Sequence, residues 1–222
     1  YTIYIRDIEN NKLVTDKIED TSGSVTFSLD DKFIFYSKLD EHHRPRKIFR
    51  HKLGTSTKDD QLVFEEKSEA FTCGIGLSSD EKYYFISTSD HNTSEQYYFS
   101  IDEENPKPKL IKERKRGIIY SVNSWNDKFY LHTNEGAEDF KIDICEDLKK
   151  QNWKTFIPAK DEVLIGGLVF LKNWIIRSET SNALGKLIVR NPKTGEEHDL
   201  NFVDEKVIVP SISLKQRNKD TD

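Results

Sequence analysis

The sequence predicts an all-β protein, a partial β-propeller, on the strength of two observations. The first is an internal repeat. The segment from Val25 to Tyr36 is echoed by Ile75 to Ile86, by a weaker copy from Val122 to His132 and by a degenerate one from Leu168 to Arg177. Aligning Phe33, Tyr83, Phe129 and Trp174 gives spacings of 50, 46 and 45 residues, which is the period of a propeller blade. The second observation is the plan inside each copy. An apolar strand leads to a tight polar turn and then to a strand rich in aromatic and β-branched residues, as antiparallel hairpins require.

The elements follow in order. Tyr1 to Asp7 and Lys12 to Ile18, separated by a Glu-Asn-Asn turn, read as the last two strands of an earlier blade spanning residues 1–19. Four whole four-stranded blades are expected over 22–67, 70–115, 117–159 and 162–203, and the first strand of a further one, Val207 to Leu214, within 206–222. Asp30 with Asp31, Asp80 with Glu81, Asn126 with Asp127 and Lys172 with Asn173 mark the first turn of each blade. Asp and Asn suit such turns because their short side chains bond nearby backbone and tolerate left-handed conformations. Third strands are predicted at Lys47 to Leu53, Gln96 to Ile101, Phe140 to Cys145 and Lys186 to Arg190. Fourth strands are predicted at Gln61 to Glu66, Lys109 to Glu113, Trp153 to Pro158 and Glu197 to Phe202. Leu148 to Trp153 has room for one helical turn, and Gly166 with Gly167 predicts a bend in the apolar run Val163 to Leu171. Second strands such as Phe33 to Tyr36 are apolar at consecutive positions, so both faces of a blade are expected to be buried against neighbours.

Composition narrows the function. Among 222 residues, 34 Lys and Arg stand against 39 Asp and Glu, a net charge of −5 with the signs mixed along the chain. That balance argues for an ordinary soluble surface and against nucleic acid as a partner. The one basic run, Lys112 to Arg116, reads as a solvated turn in preference to an anion patch. The longest apolar run is too short to cross a bilayer, and no signal peptide precedes it, so no membrane role is expected. Cys73 and Cys145 have neither disulfide-framework nor zinc-ribbon spacing, which makes a reducing cytoplasm the default. The absence of any Met predicts that the chain begins inside a longer polypeptide.

Specific segments point further. Asp40 to Thr55, Leu62 to Lys67, Thr93 to Glu95 and Thr133 to Lys141 occur in the order of signature segments of the oligopeptidase B propeller. The chain resembles that branch of the prolyl oligopeptidase family over essentially its whole length. Its first three blades are closest, and Glu179 to Leu200 is only generic. The resemblance implies a serine peptidase parent that cleaves short peptides after Lys or Arg, with an α/β-hydrolase catalytic domain in the same polypeptide. It implies no cofactor. The propeller would limit substrate size and dock the catalytic domain. The alternative is a stand-alone propeller scaffold that binds a protein partner. An excised piece of a ring is also expected to self-associate, because it exposes blade faces and strand edges.

Catalytic residues are not expected in this chain. A hydrolase nucleophile needs Ser on a Gly-x-Ser-x-Gly elbow, and neither Ser22-Gly23-Ser24 nor Gly166-Gly167-Leu168 supplies one. Gly74 and Gly76 lack the rest of a phosphate loop. His42, His43 and His51 have no paired ligand spacing and read as loop residues, not as a metal site. Asp90 beside His91 is adjacency only, since a triad is assembled in space. The remaining candidates are charges in or beside the connections between second and third strands: Glu41, Arg44, Arg46, Asp90, Glu95, Glu138 and Asp139. Such connections share one face of a propeller, so they are candidates for a ring of domain-interface contacts. The competing reading is an ordinary solvated loop surface.

Overall fold

The computed structural model describes residues 1–200 of the chain; the predicted strand from Val207 to Leu214 and the end of the last fourth strand lie outside them. The residues form two compact units, one of 1–77 and 81–117 and the other of 78–80 and 118 onward.

The first unit opens with a two-stranded antiparallel sheet, β1 (Ile3–Asp7) and β2 (Lys12–Ile18). A four-stranded sheet follows in sequence order: β3 (Thr21–Phe27), β4 (Phe33–Leu39), β5 (Pro45–Lys52) and β6 (Gln61–Glu65). The next sheet repeats it with β7 (Thr72–Leu77), β8 (Tyr83–Ser89), β9 (Ser94–Ser100) and β10 (Lys109–Lys112). The only helical element among the described residues is a 3₁₀ turn, Thr57–Asp59.

Alternation along β4 shows why these sheets stack. Ile34 and Tyr36 join Ile3 and Ile18 in one buried cluster. Phe35, between them in sequence, points the other way and packs with Ile48, Tyr84, Ile86 and Phe99. Its ring lies 4.7 Å from Tyr84 and 5.8 Å from Phe99. Each fully buried side chain of this size contributes roughly 1.5–3 kcal/mol, and a lone sheet would leave both of its faces wet.

The second unit contains two more antiparallel sheets. One is β11 (Tyr120–Trp125), β12 (Lys128–Thr133), β13 (Lys141–Cys145) and β14 (Lys154–Ile157). The other is β15 (Leu164–Phe170), β16 (Ile175–Ser181), β17 (Leu184–Arg190) and β18 (Glu197–Asp199). Trp125, Tyr130, Ile142 and Ile157 from the first sheet pack with Ile165, Phe170 and Ile175 from the second.

Turn chemistry follows the residues. In the first unit Ser28 Oγ donates to Asp30 Oδ1 at 2.7 Å, and the same oxygen accepts from Lys32 N at 3.2 Å. Asn126 and Asp127, with φ of 50° and 59°, close the β11–β12 hairpin in the two-residue form that such residues favour. Leu148 to Trp153 forms no helix: the N–H groups of Lys150 and Gln151 both bond to the Asp147 carbonyl, and Gln151 turns to φ 49°. Gly166 and Gly167 sit where the β15–β16 register shifts between Ile165 and Leu168, the predicted bend. A Cβ at Gly166 would lie 3.0 Å from the Ser178 carbonyl oxygen, so only glycine fits.

The β16–β17 hairpin carries a local misfit. Asn182 and Ala183 have φ of 49° and 60°, and alanine in that region pays a steric cost that glycine avoids. Ala183→Gly is expected to stabilise the chain by about 1 kcal/mol, which raises the melting temperature by roughly 2–4 °C for a domain of this size. Calorimetry checks it, and an unchanged or lower midpoint would contradict it.

Candidate functional site

In a four-stranded meander, the connection between strands two and three leaves the same end of the sheet as the link from strand four to the next sheet. In the first unit this end therefore gathers residues 40–44, 66–71, 90–93 and 113–117; the predicted site residues Glu41, Arg44 and Asp90 stand there, with Arg46 and Glu95 at the adjoining starts of β5 and β9.

Asp40 and Asp90 occupy equivalent places and do equivalent work. Asp40 Oδ1 accepts from the backbone N–H groups of His42 at 2.9 Å and Arg44 at 3.0 Å. Asp90 Oδ1 accepts from Asn92 N at 2.9 Å and Thr93 N at 2.7 Å. These bonds hold Asp40 below the ordinary carboxyl range, the Arg44 amide contributing most. Asp90, a sequence candidate for an outward contact, is thus committed to its own turn. Arg46 is committed as well: its guanidinium donates to the carbonyls of Glu66 at 3.1 Å and Lys67 at 3.2 Å and lies 3.5 Å from Asp40.

Glu95 belongs to an internal clamp. It is buried near the start of β9, where Oε2 accepts from Arg114 Nη2 at 2.7 Å and from Tyr97 OH at 2.9 Å, and Oε1 accepts from Arg114 N at 2.9 Å. The same Nη2 reaches Glu66 Oε2 at 2.7 Å, and Glu66 Oε1 caps Ser68 N at 2.7 Å. The guanidinium also lies over the Phe71 ring at 4.0 Å. Burial pushes the Glu95 carboxyl up, but the Arg114 hydrogen bonds outweigh it and hold the group below its ordinary value. Arg114, placed by the sequence in a solvated basic turn, instead ties the ends of two sheets together.

Glu41 and Arg44 remain outward. Glu41 has 87% of its side chain exposed, with His42 Nε2 3.8 Å away, and exposed Arg44 donates to the Glu69 carbonyl. Glu138 is exposed and Asp139 half-buried in the β12–β13 connection of the second unit, where the Asp139 carbonyl accepts from Ile165 N at 2.9 Å. His132 leads into that connection and donates through Nε2 to the Ile165 carbonyl at 2.7 Å, and burial lowers its pKa.

The histidines divide. His42 and His43 stand in the β4–β5 turn, but His51 lies on β5 with none of its surface exposed, which corrects the loop reading for that residue. Its Nδ1 faces Asp60 Oδ1 at 2.6 Å and its Nε2 faces Asp16 Oδ2 at 3.1 Å. Tyr36 OH donates to Asp60 Oδ2 at 2.8 Å and Gly54 N to Asp16 Oδ2 at 2.6 Å. An Asp–His pair invites comparison with hydrolase chemistry, but both nitrogens are engaged, the ring is sealed from solvent, and no Ser stands among its partners. The arrangement is a fastening between β2 and the β3–β6 sheet.

Four-stranded antiparallel sheets repeated in sequence order, packed face on face within each unit, define a β-propeller that is not closed in this chain. Residues 1–222 match the family described as "Prolyl oligopeptidase, N-terminal beta-propeller domain", and the chain belongs to that family. It is 34% identical over 181 residues to Protease 2 of Moraxella lacunata, covering 75% of this chain and 26% of that protein. It therefore spans about a quarter of that relative's length. Among solved structures, oligopeptidase B from Leishmania major is similar with a TM-score of 0.81 at 21% identity, over 88% of this chain and 28% of that one. Oligopeptidase B from Trypanosoma brucei, in a closed form with covalently bound antipain, gives 0.80 at 23% identity over 87% and 29%. The predicted propeller family is borne out.

Proposed function

We propose that this chain is the non-catalytic propeller portion of a cytoplasmic serine oligopeptidase that cleaves short peptides after Lys or Arg. The observation that carries this reading is the 34% identity to Protease 2 across three-quarters of the chain. The absence of a nucleophile elbow from the sequence agrees with it, because the chemistry then belongs to an α/β-hydrolase part of the same polypeptide. Cys73 and Cys145, both buried and unpaired, suit a reducing compartment.

In this reading the propeller acts by exclusion and by docking. A substrate must be thin enough to pass the propeller before it meets the active site, and polar contacts on the loop end form and break as the cleft closes. Glu41, Arg44 and Glu138 are the outward candidates for those contacts, whereas Arg46, Asp90 and Glu95 already bond partners within the propeller. The chain by itself should also self-associate, since the two-stranded β1–β2 sheet exposes Tyr4 at 57% and Leu13 at 63%.

The test is a substrate panel for the full-length polypeptide that carries this propeller. Short peptides ending their acyl part in Lys or Arg should be cleaved, and a folded protein with the same residues on its surface should resist. Equal cleavage after Pro would overturn the specificity. Attack on the folded protein at a comparable rate would overturn the size limit.

A further inference from the structure

Beside the Arg114 clamp, at the loop end of the first unit, lies a depression of about 470 Å³ lined by Phe71, His91, Asn92, Arg114 and Arg116 together with the Asp90 turn. Its charges are unevenly committed. Arg114 is neutralised by Glu66 and Glu95, and the one carboxylate on the rim, Asp90, is spent on backbone N–H groups. Arg116 and His91 are exposed and form no ion pair among the described residues. The Asn92 side-chain oxygen accepts from Thr93 Oγ1 at 3.1 Å, and its amide nitrogen has no hydrogen-bond partner among the described residues. The rim is therefore rich in uncommitted donors and poor in acceptors. A carboxylate suits it, because a guanidinium offers two parallel N–H groups in the geometry a carboxylate accepts.

We infer that this depression receives an acidic side chain from the catalytic part of the same polypeptide when that part closes on the propeller, with Arg116 as the principal partner. The inference rests on the proposed function. Two facts favour this occupant: the charge balance of the rim, and the length of the relatives, of which the matched segment is only 26% in Protease 2. The rest of such a polypeptide must meet the propeller somewhere, and the loop end offers a cationic group, Arg116, that its own described residues leave unpaired.

The experiment uses the full-length polypeptide with Arg116→Gln and Arg116→Lys, C-terminally amidated Arg peptides as substrate, and small-angle scattering at low and high salt. Arg116→Gln is expected to lower kcat/KM roughly 1.5- to 5-fold at low salt, the range of a solvent-exposed ion pair. High salt should erase the difference by screening. Scattering should report a more open particle for the Gln variant at low salt, and Arg116→Lys should keep most of the rate. Unchanged rate and unchanged scattering in Arg116→Gln would overturn the inference. So would a loss seen with free-acid peptides but not with amidated ones, since the occupant would then be the substrate's own carboxylate. Failure to cleave any basic peptide, with the scattering difference intact, would instead overturn the proposed specificity and leave the docking contact standing.

Discussion

Replacing Arg114 with Met is expected to destabilise the chain by about 3 kcal/mol, toward the low end of what breaking a buried ion pair costs because the arginine keeps some solvent contact. For a domain of this size that corresponds to a melting temperature lower by roughly 6–12 °C. The cause is what remains behind. Glu66 and Glu95 are both buried, and each loses the donor that offset its desolvation. The pH dependence has a definite sign. Glu95 is depressed in the native protein, so its contribution is present above the ordinary carboxyl range near 4.5 and fades as pH falls through the native value. In the Met variant the Tyr97 hydroxyl and the amide of residue 114 still bond it, but no guanidinium offsets its burial, so ionising the group then favours folding less. The gap between variant and wild type should be wide near pH 7 and narrow near pH 4, as urea midpoints would show. A gap independent of pH would mean that lost packing over Phe71, not charge, explains the effect.

The second large effect is expected at His51. His51→Leu leaves Asp16 and Asp60 sealed beside an apolar side chain, with Tyr36 OH and Gly54 N among the few donors left. A loss of about 3–5 kcal/mol follows from removing the side chain that both buried aspartates face. The damage should be local as well as global, because Asp16 lies on β2 while His51 lies on β5. Backbone amides of β1 and β2 should exchange faster than those of β8. The triple variant His51→Leu with Asp16→Asn and Asp60→Asn should recover part of the loss, since neutral amides are less costly to bury than unpaired carboxylates. A single-variant loss below about 1 kcal/mol, the scale of an ordinary hydrogen bond, would show that the network is not the fastening described here.

Both residues show what sequence reading misses. His51 stood inside a predicted strand, and the alternation of that strand already placed one of its faces indoors; grouping it with His42 and His43 by proximity hid the signal. Arg114 was hidden by its neighbours, because Lys112, Lys115 and Arg116 made the segment look uniformly solvated. Asp90 carried a local signal of another kind: an Asp directly after one strand and four or five residues before the next caps the turn between them, the role Asp40 plays one sheet earlier. Glu41 and Arg44 were read as exposed charges in a strand connection, and they are.

What the sequence by itself determined is the part of the molecule governed by local rules. The period of 50, 46 and 45 residues, the paired apolar strands and the Asp and Asn turns follow from side chains and backbone preferences within a few positions of one another. Such patterns repeat, so each copy strengthens the reading of the others. The tertiary structure alone decided which charges went inside. His51 meets Asp16 across 35 positions and Arg114 meets Glu66 across 48. No periodicity encodes those distances. A charge is buried only where stacked sheets bring an opposite charge within hydrogen-bond reach, since the desolvation cost is otherwise too high, and that coincidence exists in space before it is legible along the chain.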